Sequence, residues 1–115
     1  MNRYIVYKFV EPKIWEMFLF SGQTRYSGST EDNKGYIKLC TKDQISSVLD
    51  KYRDYNFVFK QNSLNMPPTI MKLTVQLDSN QFYTWSLNSK NILAPRLYGT
   101  INDNNLIDVK KISLF

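Results

Sequence analysis

The segment Thr69 to Leu77, TIMKLTVQL, constrains the fold of this chain more than any other stretch. Met71, Leu73, Val75 and Leu77 alternate with Lys72, Thr74 and Gln76. Successive side chains of an extended strand point to opposite faces, so a period of two makes a strand with an apolar side and a polar side. An apolar side must be covered by another layer.

Two helices near the start of the chain can supply that cover. Glu11-Pro12 opens the first, because proline is tolerated in a first helical turn and glutamate suits its positive end. Ile14, Trp15, Phe18 and Leu19 form its apolar stripe, and Ser21-Gly22 ends it. The second begins at Thr41-Lys42-Asp43-Gln44, which matches a capping box. Behind it Ile45, Val48, Leu49 and Tyr52 fall at i, i+3, i+4 and i+7, one side of a helix ending near Arg53.

The rest reads as strands and turns. Tyr4 to Val10 is a first strand. In Gly35 to Cys40, Tyr36, Lys38 and Cys40 share one face while Ile37 and Leu39 share the other. Phe82 to Leu87 alternates with Tyr83, Trp85 and Leu87 together, and through the Asp78-Ser79-Asn80 turn it is expected to form a hairpin with Thr69 to Leu77. Ala94 to Ile101 holds a short strand, Asn102 to Asn105 a turn, and Leu106 to Phe115 a closing strand kinked at Lys110-Lys111. Gln23 to Lys34 and Gln61 to Pro68 read as loops, and Asn56 to Lys60 is a short apolar piece of open type. Strands with two early helices make one α+β domain over residues 1–115, with a mixed or antiparallel sheet.

Charge and composition bound the function. With 115 residues, 43% hydrophobic and 15% aromatic, the chain can build one core. Its net charge is +5. Lysine and arginine are nevertheless scattered from Arg3 to Lys111, without the basic and aromatic interleaving of a single-strand nucleic-acid groove. Nucleic acid is therefore not the expected main partner. There is no histidine, which removes the commonest general base and metal ligand, and the single Cys40 has no disulfide or metal partner. No apolar run approaches membrane-spanning length, and the opening residues turn polar too soon for a secretory signal, so a soluble cytoplasmic protein is expected.

Two cations stand out. Lys38 and Arg96 each interrupt a short apolar segment, and each lies near a tyrosine and a glycine, Gly35-Tyr36 and Tyr98-Gly99. Such residues are ordinarily exposed edge-strand positions with their heads in water. The functional alternative is that they converge on a cleft, where the tyrosines and the helix start at Thr41 favour an anion. Carboxylates offer little. The glutamates are Glu11, Glu16 and Glu31, and paired acids for sugar chemistry cannot be assigned among them. Cys40 reads as a small core thiol, and Trp15 and Trp85 as core residues, with Trp85 an alternative wall for a ligand site.

These pieces, in this order, resemble the small bacterial proteins of domain-of-unknown-function family 952. The resemblance runs from Tyr7-Lys8 through Trp15-Glu16, Tyr26-Ser27-Gly28 and the segment Gly35 to Thr41 with Gln44. It continues to Trp85 and closes at Pro95-Arg96-Leu97-Tyr98-Gly99. It implies an ADP-ribosyltransferase-like fold, two small sheets flanking a cleft, with NAD or another nucleotide as ligand by fold analogy. That family typically carries histidines at the positions of Lys38 and Arg96, and commonly serine at that of Cys40. The departures place Lys38 and Arg96 at site positions while removing the proton-accepting imidazoles.

Three expectations follow. The first is a non-catalytic, degenerate ligand-binding domain. Its cleft, formed by Tyr36, Lys38, Thr41, Trp85, Arg96 and Tyr98, binds a phosphate-bearing small molecule through the two cations. The second is an enzyme of unassigned type acting on a nucleotide, with Lys38 deprotonated or Tyr98 as acid. The third is a basic module docking on RNA or an acidic protein.

Overall fold

The computed structural model of the protein describes residues 4–22, 26–27, 35–54, 68–78, 81–88 and 90–115. The alternating segment is its central strand. β4 (Thr69–Leu77) pairs antiparallel on one edge with β1 (Tyr4–Val10) and on the other with β8 (Leu106–Ser113). Leu73, Val75 and Leu77 are fully enclosed, whereas Lys72, Thr74 and Gln76 are only half-buried. Enclosing each such aliphatic side chain contributes about 1.5–3 kcal/mol.

Both faces of this sheet are covered. On one, β4 meets Val6 and Val10 of β1, and Trp15 and Phe18 of α1 (Pro12–Phe20). On the other, Phe9, Ile70 and Leu114 pack against α2 (Ile45–Tyr52) through its apolar stripe of Ile45, Val48, Leu49 and Tyr52. A 3-10 turn, Lys42–Gln44, leads into α2, and the Gln44 side-chain oxygen accepts the Thr41 backbone N–H at 2.9 Å, as the capping-box reading expected.

The buried face of α1 is narrower than its apolar stripe. Trp15 and Phe18 are buried, but Ile14 and Leu19 stay exposed. The reason is a third ring. Tyr26 lies 6.0 Å from Trp15 and 5.4 Å from Phe18, so three aromatics fill the space and leave the flanking aliphatics outside. Within Gln23 to Lys34, read as a surface loop, Tyr26–Ser27 is instead a short strand with Tyr26 buried, and the rest of that segment lies outside the described residues. β2 (Tyr26–Ser27) pairs with β7 (Thr100–Ile101), a ladder too short to leave a periodic signal. Helix α1 ends where expected. The Ser21 hydroxyl donates to the Phe18 carbonyl at 2.6 Å, and Gly22 takes φ +75°, which glycine adopts without strain.

The hairpin between β4 and the next strand is not formed. Both edges of β4 are occupied, so β5 (Tyr83–Leu87) turns away and pairs with β6 (Leu93–Leu97). β3 (Ile37–Lys38) completes a second antiparallel sheet in the order β3-β6-β5. The true hairpin closes over Asn88 to Ile92, where the Asn88 side-chain oxygen accepts the N–H groups of Lys90 and Ile92, and Asn91 takes φ 60°. The strand expected within Ala94 to Ile101 is divided at Tyr98-Gly99 between β6 and β7. In β8 the irregularity falls at Ile107, since Thr74 faces Asp108 and Val75 faces Leu106. Lys110 and Lys111 pair regularly with Lys72 and Met71, so the expected kink there is absent.

The two sheets are stitched at one bridge. Tyr7 and Cys40 exchange backbone hydrogen bonds of 2.8 Å, so the chain leaving β3 crosses the edge of β1 and enters α2 directly. Among the described residues the result is an α+β arrangement of two three-stranded antiparallel sheets, a two-stranded ribbon and two α-helices. Asn56 to Lys60 and the segment Gln61 to Pro67 lie outside the described residues. Among the described residues, no helix is long and apolar enough to cross a membrane.

Candidate functional site

Ile37 and Leu97 are fully buried and face each other across the β3–β6 ladder. They pin one face of the second sheet into the core. By alternation the next residues point the other way, and these are Lys38 and Arg96, themselves direct cross-strand partners. Thr84 lies opposite Arg96 on β5, so lysine, arginine and threonine form one row across three strands. Like charges placed directly opposite in an antiparallel pair repel each other.

Beside that row runs a row of rings. The centroids of Tyr36 and Tyr98 are 5.5 Å apart, and those of Tyr98 and Phe82 are 5.3 Å apart. The Arg96 guanidinium lies over the Tyr36 ring, 4.6 Å from its centroid, a cation–π contact that orients its head.

On the other side of the cations opens a groove of about 860 Å³. The sheet contributes Lys38, Arg96, Ala94 and Ser86 to it, and α2 contributes Ser47, Val48 and Lys51. Gln44 fastens the two walls, its side-chain amide donating to the Leu93 carbonyl at 2.7 Å. Lys90 from the hairpin loop reaches Ser47 Oγ at 2.7 Å and fastens them again. Among the described residues, five cations (Lys8, Lys38, Lys51, Lys90 and Arg96) line the groove against two carboxylates, Asp43 and Asp50, and these charges favour an anion. Asp50 is paired with Arg53 at 3.0 Å.

The structure thus brings Tyr36, Lys38, Arg96 and Tyr98 to one face. It does not bring Trp85 or Thr41 there. Trp85 faces Pro95 on β6, one residue out of step with Arg96, and so lies on the opposite side of the sheet, edge-on to Tyr4 at 6.1 Å. Thr41 is outside the groove lining, and its hydroxyl donates to the Asp43 carboxylate. That hydrogen bond, with one from the Asp43 backbone, holds this carboxyl below its ordinary pKa. A charged aspartate therefore sits in the first turn, where an anion would otherwise be drawn.

Cys40 is buried among Phe9, Leu49, Ile70 and Leu114, and burial pushes its thiol up to about 12. It is a core residue, without the thiolate character of a nucleophile. Lys38 is exposed on the sheet face. The arrangement can hold negative charge.

Phe82, Lys90, Ser47 and Lys51 escaped the sequence reading. Ser47 and Lys51 flank the apolar stripe of α2, so a helix packed beside a site could have marked them. Lys90 and Phe82 become visible only with the β5–β6 register.

No family model matches the chain, and no curated protein matches it. Among solved structures it is similar to protein CC0527 from Caulobacter crescentus, at TM-score 0.64 and 14% identity, covering 93% of this chain and 84% of that one. A double mutant of CC0527 aligns over the same shares at TM-score 0.65 and 15% identity. At such identities the likeness concerns the fold.

Proposed function

We propose that this chain is a ligand-binding domain whose groove takes a phosphate-bearing small molecule through Lys38 and Arg96. The observation that carries the reading is the direct opposition of these two cations on β3 and β6, beside a groove whose charged lining residues are mostly cations. Two cations held side by side by a sheet present their charge together, where a phosphate can accept from a guanidinium fork and an ammonium at once. The hydroxyls of Thr84 and Ser86, on the same face, add donors within the reach of such a group. The resemblance to family 952 and its ADP-ribosyltransferase-like fold supports NAD or another nucleotide as one such molecule, by analogy.

Binding is favoured over turnover because the described residues around the cations include no buried carboxylate and no desolvated base. The test uses inorganic pyrophosphate, titrated calorimetrically at low ionic strength into the parent and into Lys38→Ala and Arg96→Ala. The parent is expected to bind, and each variant to lose at least about tenfold in affinity with its unfolding transition intact, since a charge-assisted hydrogen bond is worth about 1.5–3 kcal/mol. Equal binding by parent and variants, or none by the parent, overturns the reading.

A further inference from the structure

We infer that the rings of Tyr98 and Phe82 form a stacking subsite for the base of a nucleotide whose phosphate sits at Lys38 and Arg96. The inference rests on the phosphate reading above and adds to it a second contact surface, outside the groove. Phe82 and Tyr98 are held in step by the Tyr98 N–H bond to the Phe82 carbonyl, 2.9 Å, which extends the β5–β6 ladder by one rung. They lie on the same face as Thr84 and Arg96, and immediately beside them.

Core packing does not account for these rings. Phe82 is 69% exposed and Tyr98 41%, whereas Leu97 between Arg96 and Tyr98 is fully buried. An exposed phenylalanine alone is ordinary. Here it is the end of a continuous patch that includes Tyr36 and borders two cations. The patch is also divided in its duties. The face of Tyr36 is taken by the Arg96 guanidinium, which turns the positive head toward the rings and leaves Tyr98 and Phe82 as the open surface. A ligand that fits must be flat and aromatic at one end and anionic at the other. A sugar phosphate or inorganic phosphate would leave the rings in water.

The geometry favours one base rather than a strand of them. The rings of Tyr98 and Phe82 are inclined at 54°, and those of Tyr36 and Tyr98 at 48°, so no two faces lie parallel for successive bases to stack on. Together they form one patch of mutually inclined rings. Its distance from the cations is that of neighbouring residues on a strand, ~6–7 Å from one side chain to the next on the same face. That suits a base and its phosphate joined by one sugar.

The experiment compares adenosine 5′-monophosphate, ribose 5-phosphate and a single-stranded oligonucleotide against the parent, Phe82→Ala and Arg96→Ala. Phe82 is exposed at its strand end, so its truncation spares the core. The monophosphate is expected to bind at least about tenfold more tightly than ribose 5-phosphate, within the range that base–aromatic stacking supplies. Phe82→Ala should erase that preference while leaving ribose 5-phosphate binding unchanged, and Arg96→Ala should weaken both. If the two phosphates bind equally to the parent, or if Phe82→Ala keeps the preference, the stacking subsite is refuted while the phosphate reading stands. If neither phosphate binds, both readings fail. If the oligonucleotide binds while the monophosphate shows no preference over ribose 5-phosphate, the rings serve a nucleic-acid chain and the nucleotide assignment is overturned.

Discussion

The side-chain amide of Gln44 spans two structural units, donating to the Leu93 carbonyl on β6 at 2.7 Å and accepting the Thr41 backbone N–H at 2.9 Å. One buried residue thereby starts α2 and ties it to the second sheet. Its removal leaves a backbone donor and a backbone acceptor in need of partners, and each buried group so stranded costs about 1–3 kcal/mol. Gln44→Ala should therefore lose about 2 kcal/mol or more in urea unfolding. Gln44→Glu keeps the acceptor for Thr41 but turns a buried carboxylate oxygen toward the Leu93 carbonyl, and should cost at least as much. An unchanged midpoint for Gln44→Ala would mean that neither bond matters.

The opposition of Lys38 and Arg96 has a stability cost, and this separates site from scaffold. Substituting Lys38 with threonine removes a like charge from the face of the sheet and supplies a residue that strands favour. Lys38→Thr should leave thermal stability unchanged or raise it by about 0.2–1 kcal/mol, with the gain shrinking as salt is added. Pyrophosphate affinity should meanwhile fall. A variant that binds less and melts higher is the signature of a residue retained for a ligand. A variant that melts substantially lower would make Lys38 structural.

How much of this was legible in the sequence depends on which interactions are local. The period-two pattern of Thr69–Leu77 and the stripe of α2 are written in neighbouring residues, and both were realised. The outward orientation of Lys38 followed from Ile37 and Leu39 turning inward. The partner of each strand was not legible. Alternation says which residues share a side but not which strand lies alongside, so the sequence suggests β4 as the partner of β5, whereas the edges of β4 belong to β1 and β8. The same gap misplaced Trp85. Alternation puts it with Tyr83, but only the β5–β6 register puts it one step from Arg96 and on the far face. The helical wall of the groove was invisible for a similar reason, since it depends on α2 being tied to the hairpin by Gln44 and Lys90.

Cys40 sets an alkaline limit on the fold. Burial raises its pKa from 9.0 to about 12, while the thiol of the unfolded chain ionises near the lower value. Below pH 9 both states hold the proton and the contribution is fully present. Between about 9 and 12 the unfolded chain binds fewer protons, so stability falls by up to about 1.4 kcal/mol per pH unit. Urea titrations across this range, compared with Cys40→Ala, should show the parent losing stability more steeply. At pH 8 the folded thiol should resist a disulfide reagent that reacts at once in urea. Equal slopes in the two proteins, or rapid labelling of the native thiol, would show that Cys40 is exposed to solvent.

The position of Trp85 gives a sharp check on which face carries the site. Its ring meets Tyr4 edge-on and stands behind Pro95, while Lys38 and Arg96 project from the other side of the same three strands. A sheet is one backbone thick, so a phosphate held by the two cations is out of contact with the indole. The other tryptophan, Trp15, is buried under α1 beside Phe18 and Tyr26. Pyrophosphate binding should therefore leave tryptophan emission nearly unchanged, and Trp85→Phe should bind within about twofold of the parent, because no contact worth more than RT is lost. Trp85→Ala should cost stability instead, about 0.5–1.5 kcal/mol from the edge-on ring pair alone. A Trp85→Phe variant that loses pyrophosphate while its unfolding curve stays put would put the ligand on the Trp85 face and remove the role assigned to the cation row.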